Sequence, residues 1–227
     1  MLDKGHRGTP PTREFSDFAR KTVTELSPLD DPDAVLMAWL DREEVLFRTL
    51  ERYLIAERLK SGFTEDVNAF MTFSLGIQNR RKTRAGSALE NHIEAIFRER
   101  NISYARGQAT ENRSKPDFVF PGIDQYRDPG FPSARLTMLG AKATCKDRWR
   151  QVLAEADRIP EKHLLTLEPG ISENQTAEMQ SRRLRLVVPA GIHGSYTSQQ
   201  RRRLLRVSDF IGLVRLRQET PSNTGPS

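Results

Sequence analysis

Four short apolar blocks constrain this chain most: 116–121 (PDFVFP), 135–143 (RLTMLGAKA), 163–168 (HLLTLE) and 184–189 (LRLVVP), with a weaker one near 102–105. Each has the length and the apolar or β-branched content of a strand. Helical segments lie between some of them, at about 148–157, 173–180 and 198–217. Strands interleaved with helices imply an α/β architecture, a mixed central sheet flanked by helices.

The residues before these blocks follow a different period. Asp33 is placed to cap a helix whose apolar positions Leu36, Trp39, Leu40, Leu46, Phe47, Leu50, Tyr53 and Leu54 recur every 3.6 residues and stop near Gly62. A second helix, from Glu65 to about Gln78, carries Val67, Phe70, Met71, Phe73 and Leu75. Ser87 can cap a third, with Leu89, Ile93, Ile96 and Phe97 on one face and Glu90 and Glu94 one turn apart beside it. The expected organisation is a flexible arm (1–13), an N-terminal helical annex (14–80), a catalytic core (81–219) and a flexible tail (220–227).

Charge is unevenly spread. From Glu25 to Asp66 there are eleven acids and five bases, a net of −6, so the remainder of a chain that totals +6 carries +12. Its bases cluster at Arg80, Arg81, Lys82 and Arg84 and again at Arg201, Arg202, Arg203 and Arg206. Either run alone is equally a solvated helix face; beside a catalytic motif it is a candidate phosphate contact. A single cysteine, Cys145, excludes an intrachain disulfide and a zinc finger, and the four histidines lack metal-ligand spacing. No apolar run approaches a membrane span, so a cytoplasmic protein is expected.

Pro116-Asp117 opens one block and Lys142 closes the next. Phosphodiester hydrolysis needs carboxylates that hold Mg²⁺ at the scissile phosphate and a cation that orients the attacking water. Neighbouring strands can bring Asp117 and Lys142 together for that purpose, although a structural Asp–Lys pair has the same spacing. The arrangement resembles the PD-(D/E)XK nucleases, with one departure. Residues 140 and 142 share a strand face, so the usual second carboxylate belongs at 140, where this chain has Gly140. Glu155, expected on the helix that follows, is the candidate replacement; on spacing alone it is equally an exposed helix residue.

The stretches RAGSALENHIEAIF (84–97), SKPDFVFP (114–121), YRDPGFP (126–132), LTMLGAKATCKDRWRQVLAEADRI (136–159), KHLLTLEPGIS (162–172) and LRLVVP (184–189) are together similar to the catalytic C-terminal domain of EcoRII-type restriction endonucleases. The resemblance covers roughly residues 75–217. It implies a restriction-endonuclease fold and active-site positions at Glu90, Asp117, Tyr126, Lys142 and Glu155, with Asp117 and Glu155 as Mg²⁺ ligands. EcoRII-type enzymes carry a separate effector domain that represses cleavage; only the helical annex is expected ahead of the core here, which puts that autoinhibition in doubt and makes the smaller single-domain relatives the nearer functional model.

Lys146-Asp147-Arg148 resembles, with lysine at its first position, the Arg-(Asp/Glu)-Arg element that related CCGG-type readers send into the major groove. Arg148 and Lys146 suit guanine and Asp147 suits cytosine N4; a helix cap with surface bases is the alternative. The resemblance implies a CCWGG or CCNGG site in double-stranded DNA, central bases flipped out, and a partner cytosine methyltransferase. Cutting both strands with one site per chain calls for a homodimer. Arg80, Arg81, Lys82 and Arg84 are expected on the DNA backbone. A repair or nicking nuclease of the same fold, and a DNA-binding module that has lost catalysis, for which Gly140 speaks, stay open.

Overall fold

The computed structural model describes residues 10–64, 66–145 and 148–219. Three helices come first: α1 (Thr12–Lys21), α2 (Pro32–Ser61) and α3 (Val67–Glu99). Residues 12 and 13, expected in the arm, thus belong to α1; residues 1–9 of that arm and the tail 220–227 lie outside the described residues.

The cap of α2 is Asp31 and not Asp33: Asp31 Oδ1 accepts from the Ala34 amide at 2.9 Å, and Pro32 takes the first turn, where a missing N–H leaves no bond unmade. Asp33 is buried and reaches elsewhere. Its Oδ1 accepts from the amides of Ala190 (3.0 Å) and Val207 (2.9 Å), and its Oδ2 from that of Ser208 (3.0 Å). Nor does a helix begin at Ser87. Asp66 caps α3 through the Ala69 amide, and the helix then runs for 33 residues through Gly86 and across residue 80, so annex and core share it. One glycine lowers helix stability by only about 1 kcal/mol, less than the burial of Leu89, Ile93, Ile96 and Phe97 returns.

Five strands follow: β1 (Ala105–Arg106), β2 (Phe118–Phe120), β3 (Thr137–Lys142), β4 (Lys162–Thr166) and β5 (Leu184–Val187). They lie side by side in chain order; β1–β2 and β2–β3 are antiparallel, β3–β4 and β4–β5 parallel. The expected mixed sheet is present. Short helices join the strands: α4 (Ile123–Arg127) after β2, α5 (Trp149–Leu153) after β3 and α6 (Glu173–Ser181) after β4. The helix expected over 198–217 is two, α7 (Ser198–Arg201) and α8 (Val207–Glu219). Leu205 turns out between them to bond β5, donating its amide to Leu186 O at 3.0 Å and accepting from Val188 N at 2.8 Å.

Strand alternation divides the interior into two layers. Phe118, Phe120, Leu139, Ala141, Leu165 and Val187 face α2, α3 and α8, where Phe97 stands edge-on to Phe118 and Phe120 at 5.4 and 5.2 Å. Val119, Met138, Leu164, Leu184 and Leu186 face Tyr126, Trp149, Val152 and Met179 on the other side. A third region has no such interior. Over the far halves of α2 and α3, residues 52–83, no described residue is buried.

Candidate active site

The antiparallel register pairs Phe118 with Leu139 and so sets Asp117 opposite Gly140, two residues from Lys142 on the same face. The contact follows: Asp117 Oδ2 accepts from Lys142 Nζ at 2.7 Å and from the Ala141 amide at 2.6 Å. Both side chains are mostly buried at the edge where β3 ends.

Gly140 is explained by its surroundings. A Cβ there would lie 3.0 and 3.2 Å from the two methyls of Val152 and 3.6 Å from Leu164. The space for the usual carboxylate is filled by Val152 of α5, which packs directly on the strand. That close approach brings Glu155 to the site. Contrary to expectation Glu155 is not on the helix: α5 ends at Leu153, and Glu155 sits in the turn that follows, its amide bonded to Val152 O at 3.2 Å. The helix stops because Ala156 takes a positive φ of 51° and the buried ammonium of Lys162 donates to the carbonyls of Glu155 and Ala156, the latter at 2.6 Å.

Glu155 Oε2 is buried with no hydrogen-bond partner in the structure. Burial first, and then the charge of Asp117, push the Glu155 carboxyl up to about 7, while Lys142 and Lys162 pull it down. Glu90 reaches the same cluster from α3: burial and Asp117 raise its carboxyl above the ordinary range, and Arg106 of β1, 2.9 Å away, opposes that rise. Arg106 also holds Glu94 at 2.6 Å, so one guanidinium grips two acids a helical turn apart. Asp117 raises both Glu90 and Glu155, and one of these has an unpartnered oxygen, so this is a place where added positive charge is favoured. Among the described residues no cluster of three or more metal-type side chains closes into a protein-only cage. Mg²⁺ does not need one, because it is commonly held by one or two carboxylates together with water and substrate phosphate; Asp117 and Glu155 fit that donor set.

Glu90, Asp117, Lys142 and Glu155 are thus brought together. Tyr126 is not among their partners. It is the buried residue of α4, its hydroxyl donating to Glu111 at 2.5 Å and accepting from the Arg158 amide at 3.3 Å. The Arg158 guanidinium meanwhile donates to the carbonyls of Tyr126, Asp128 and Phe131, fastening the turn that holds Glu155. Burial and the Glu111 bond raise the tyrosine pKa further above its usual value.

Lys146 and Asp147 lie outside the described residues; Arg148 is exposed after β3 and donates to Thr144 O at 2.8 Å and Thr144 Oγ1 at 3.1 Å. The root of that loop is pinned by Glu168, which accepts from the Cys145 amide at 2.7 Å. The basic run on α3 divides. Arg80 and Lys82 are exposed, and Arg81 is paired with Glu51 at 2.6 Å. Arg84, expected on the DNA backbone, is instead buried between the rings of Phe15 (4.3 Å) and Phe47 (4.6 Å), 3.7 Å from Glu43. Its charge is spent inside the protein because the helix face at 84 already packs on α1 and α2. Arg106, Lys162 and Glu168 escaped the sequence reading, since they act through backbone carbonyls, amides or paired acids and belong to no spacing pattern.

The architecture matches solved restriction endonucleases. Metal-depleted Ecl18kI in complex with uncleaved, modified DNA superposes with a TM-score of 0.77 at 18% identity, over 96% of this chain and 82% of that one. A PspGI–substrate DNA complex gives 0.74 at 15% identity, over 91% and 94%. At such identities the likeness is one of fold, and the fold is that of the PD-(D/E)XK restriction endonucleases.

Sequence narrows this class to a family. The family model described as EcoRII C terminal matches residues 47–211, and the chain belongs to that family. It is 42% identical over 185 residues to the type II restriction enzyme EcoRII of Escherichia coli, an alignment covering 80% of this chain and 45% of that enzyme. The chain therefore spans less than half the length of that relative. No helix among the described residues is long and apolar enough to cross a membrane.

Proposed function

We propose that this chain is a type II restriction endonuclease that hydrolyses double-stranded DNA at a CCWGG- or CCNGG-like site, with Mg²⁺ as cofactor, as a homodimer cutting one strand per active site. The observation that carries the reading is the unpartnered, buried Oε2 of Glu155 beside the Asp117–Lys142 pair. An isolated buried carboxylate is expensive unless a cation compensates it. EcoRII-family membership and the likeness to two DNA-bound endonucleases support the same conclusion.

Bound Mg²⁺ supplies Lewis-acid neutralisation of the scissile phosphate, and Asp117 and Glu155 would hold it. Lys142 orients the attacking water and offsets the negative charge that grows on the phosphate oxygens. Glu90, anchored by Arg106, faces the same cluster and keeps the Lys142 ammonium directed at it. Tyr126 serves through the frame that positions Glu155. Lys146, Asp147 and Arg148 read C:G pairs, and Arg80 and Lys82 meet phosphates. A cytosine methyltransferase of the same specificity would protect the host's own sites.

The test is cleavage of plasmid DNA with Mg²⁺, beside EDTA and Lys142→Ala, with the ends sequenced. Discrete ends at one short motif are expected, lost with EDTA and reduced on the order of 10²- to 10³-fold by Lys142→Ala. Uncut DNA across many templates, or equal cutting by Lys142→Ala, overturns the reading. Binding of one sequence without cutting would point to a DNA-binding module, and nicks at mismatches to a repair enzyme.

A further inference from the structure

Two unfavourable features meet at the turn that presents Glu155. Ala156, the next residue, stands at φ 51°, in the left-handed region that a side chain with a Cβ disfavours. Behind it Lys162 is only 6% exposed and makes no ion pair among the described residues, so its ammonium has left water without gaining a counter-ion. It lies on the strand face shared with Leu164, where a methionine or leucine would fill the space without that penalty. Strain of this kind persists only where the surroundings enforce it, and it points to a function for whatever is held.

What is held is the backbone of Glu155. The Lys162 ammonium donates to the carbonyls of Glu155 and Ala156, the latter at 2.6 Å, and the Ala156 carbonyl also accepts from the Ile159 amide at 2.9 Å. Lys162 is in turn fixed by the sheet. Its amide donates to Arg183 O at 2.9 Å, it pairs with Leu184 of β5, and β4 pairs with β3 at Gly140–Leu164 and Lys142–Thr166. One lysine thus refers Glu155 to the strand that carries Lys142, and not to the short helix before it.

We propose that Lys162 is the positioning residue of the metal site: from the neighbouring strand it fixes the peptide of Glu155, and so the place of that carboxylate beside Asp117. The inference rests on the Mg²⁺ reading above. Mg²⁺ demands near-ideal octahedral geometry, so a carboxylate whose backbone is loosened is a poorer ligand, although its chemistry is unchanged. Groups that orient a metal ligand from behind are typically worth about 10- to 100-fold in metal affinity.

Lys162→Met keeps the length of the side chain and removes the donor. Two quantities are read in the full chain: affinity for Mn²⁺ without DNA, from the electron paramagnetic resonance of the free ion, and the Mg²⁺ concentration that half-saturates cleavage. Glu155→Gln identifies which bound ion is counted. Both quantities should weaken about 10- to 100-fold in Lys162→Met, with KM for DNA at the wild-type value and native circular dichroism. Phe97→Ala, made less stable through the other face of the sheet, should keep wild-type Mn²⁺ affinity, which separates lost placement from lost stability. If Lys162→Met does not fold, Lys162→Gln, which keeps an N–H donor, is measured in its place. Unchanged ion affinity and Mg²⁺ requirement in the lysine variant, or an equal loss in Phe97→Ala, overturns the inference. A wild type that binds Mn²⁺ and cuts no DNA sinks the nuclease reading alone; one that cuts with Mg²⁺ while its lysine variant needs no more of it sinks this inference alone.

Discussion

The two faces of the sheet are closed by different means. One is roofed by three long helices, α2, α3 and α8, whose aromatic and aliphatic side chains interlock around Phe97, Phe118, Phe120 and Phe210. The other is roofed by helices of five to nine residues and the turns between them, and there polar groups replace length: Arg158 gathers three carbonyls, Lys162 two, and Tyr126 joins Glu111 to the Arg158 amide. A long helix cannot leave a strand end uncovered while packing along it; a short one can stop and let a turn fold inward. The candidate site opens where α5 does this, with Glu155 as the inward-folded residue. The first face supplies stability, the second placement.

Glu155→Gln separates these roles most sharply. It should lower cleavage on the order of 10²- to 10³-fold while urea denaturation shows a stability equal to or above wild type, because a buried unpartnered charge has been removed. A large loss of stability would mean that Glu155 holds the fold. Phe97→Ala addresses the roofed face. It should remove about 3–5 kcal/mol of stability, with activity per folded molecule little changed at low temperature.

Gly140→Asp restores the acid usual in such motifs and so makes an inviting repair. Yet its Cβ would meet Val152 at 3.0 Å, which should cost about 1–3 kcal/mol and displace α5 together with Glu155; the expected result is lower melting temperature and lower activity. A gain in activity would show that the sheet and α5 can part without loss. The smallest effect is a slope. Burial first, aided by the charges of Arg217 and Arg185, holds His163 down to about 3, whereas an unfolded histidine takes its proton near about 6.5. The unfolded chain thus binds a proton that the folded one refuses. Stability should be whole above that value and decline below it by up to about 1.4 kcal/mol per pH unit; His163→Leu should flatten the decline seen by denaturation between pH 6 and 4.

Much of this was legible in the sequence, because strands with period-two burial and helices with period 3.6 announce themselves locally. The Asp117–Lys142 pair could be read because a strand pairing converts a short motif into contact. The position of Glu155 could be named but not its turn, since what ends α5 is Lys162, a residue from the next strand. Arg84 misled for a related reason: in the sequence it ends a basic run, and only the packing of α1 and α2 puts Phe15 and Phe47 around it. The joining of two expected helices into α3 was hidden because a glycine is a weak stop that tertiary burial overrides.

Asp33 bears on the order in which the molecule can assemble. Its carboxylate belongs to the start of α2, yet the amides that satisfy it are at residues 190, 207 and 208, and a contact this distant in sequence forms late. During synthesis α2 emerges long before its partners, so the layer it shares with α8 stays open until residues 207 and 208 have left the ribosome. The helix that closes this layer is thus locked to a residue made 174 positions before it.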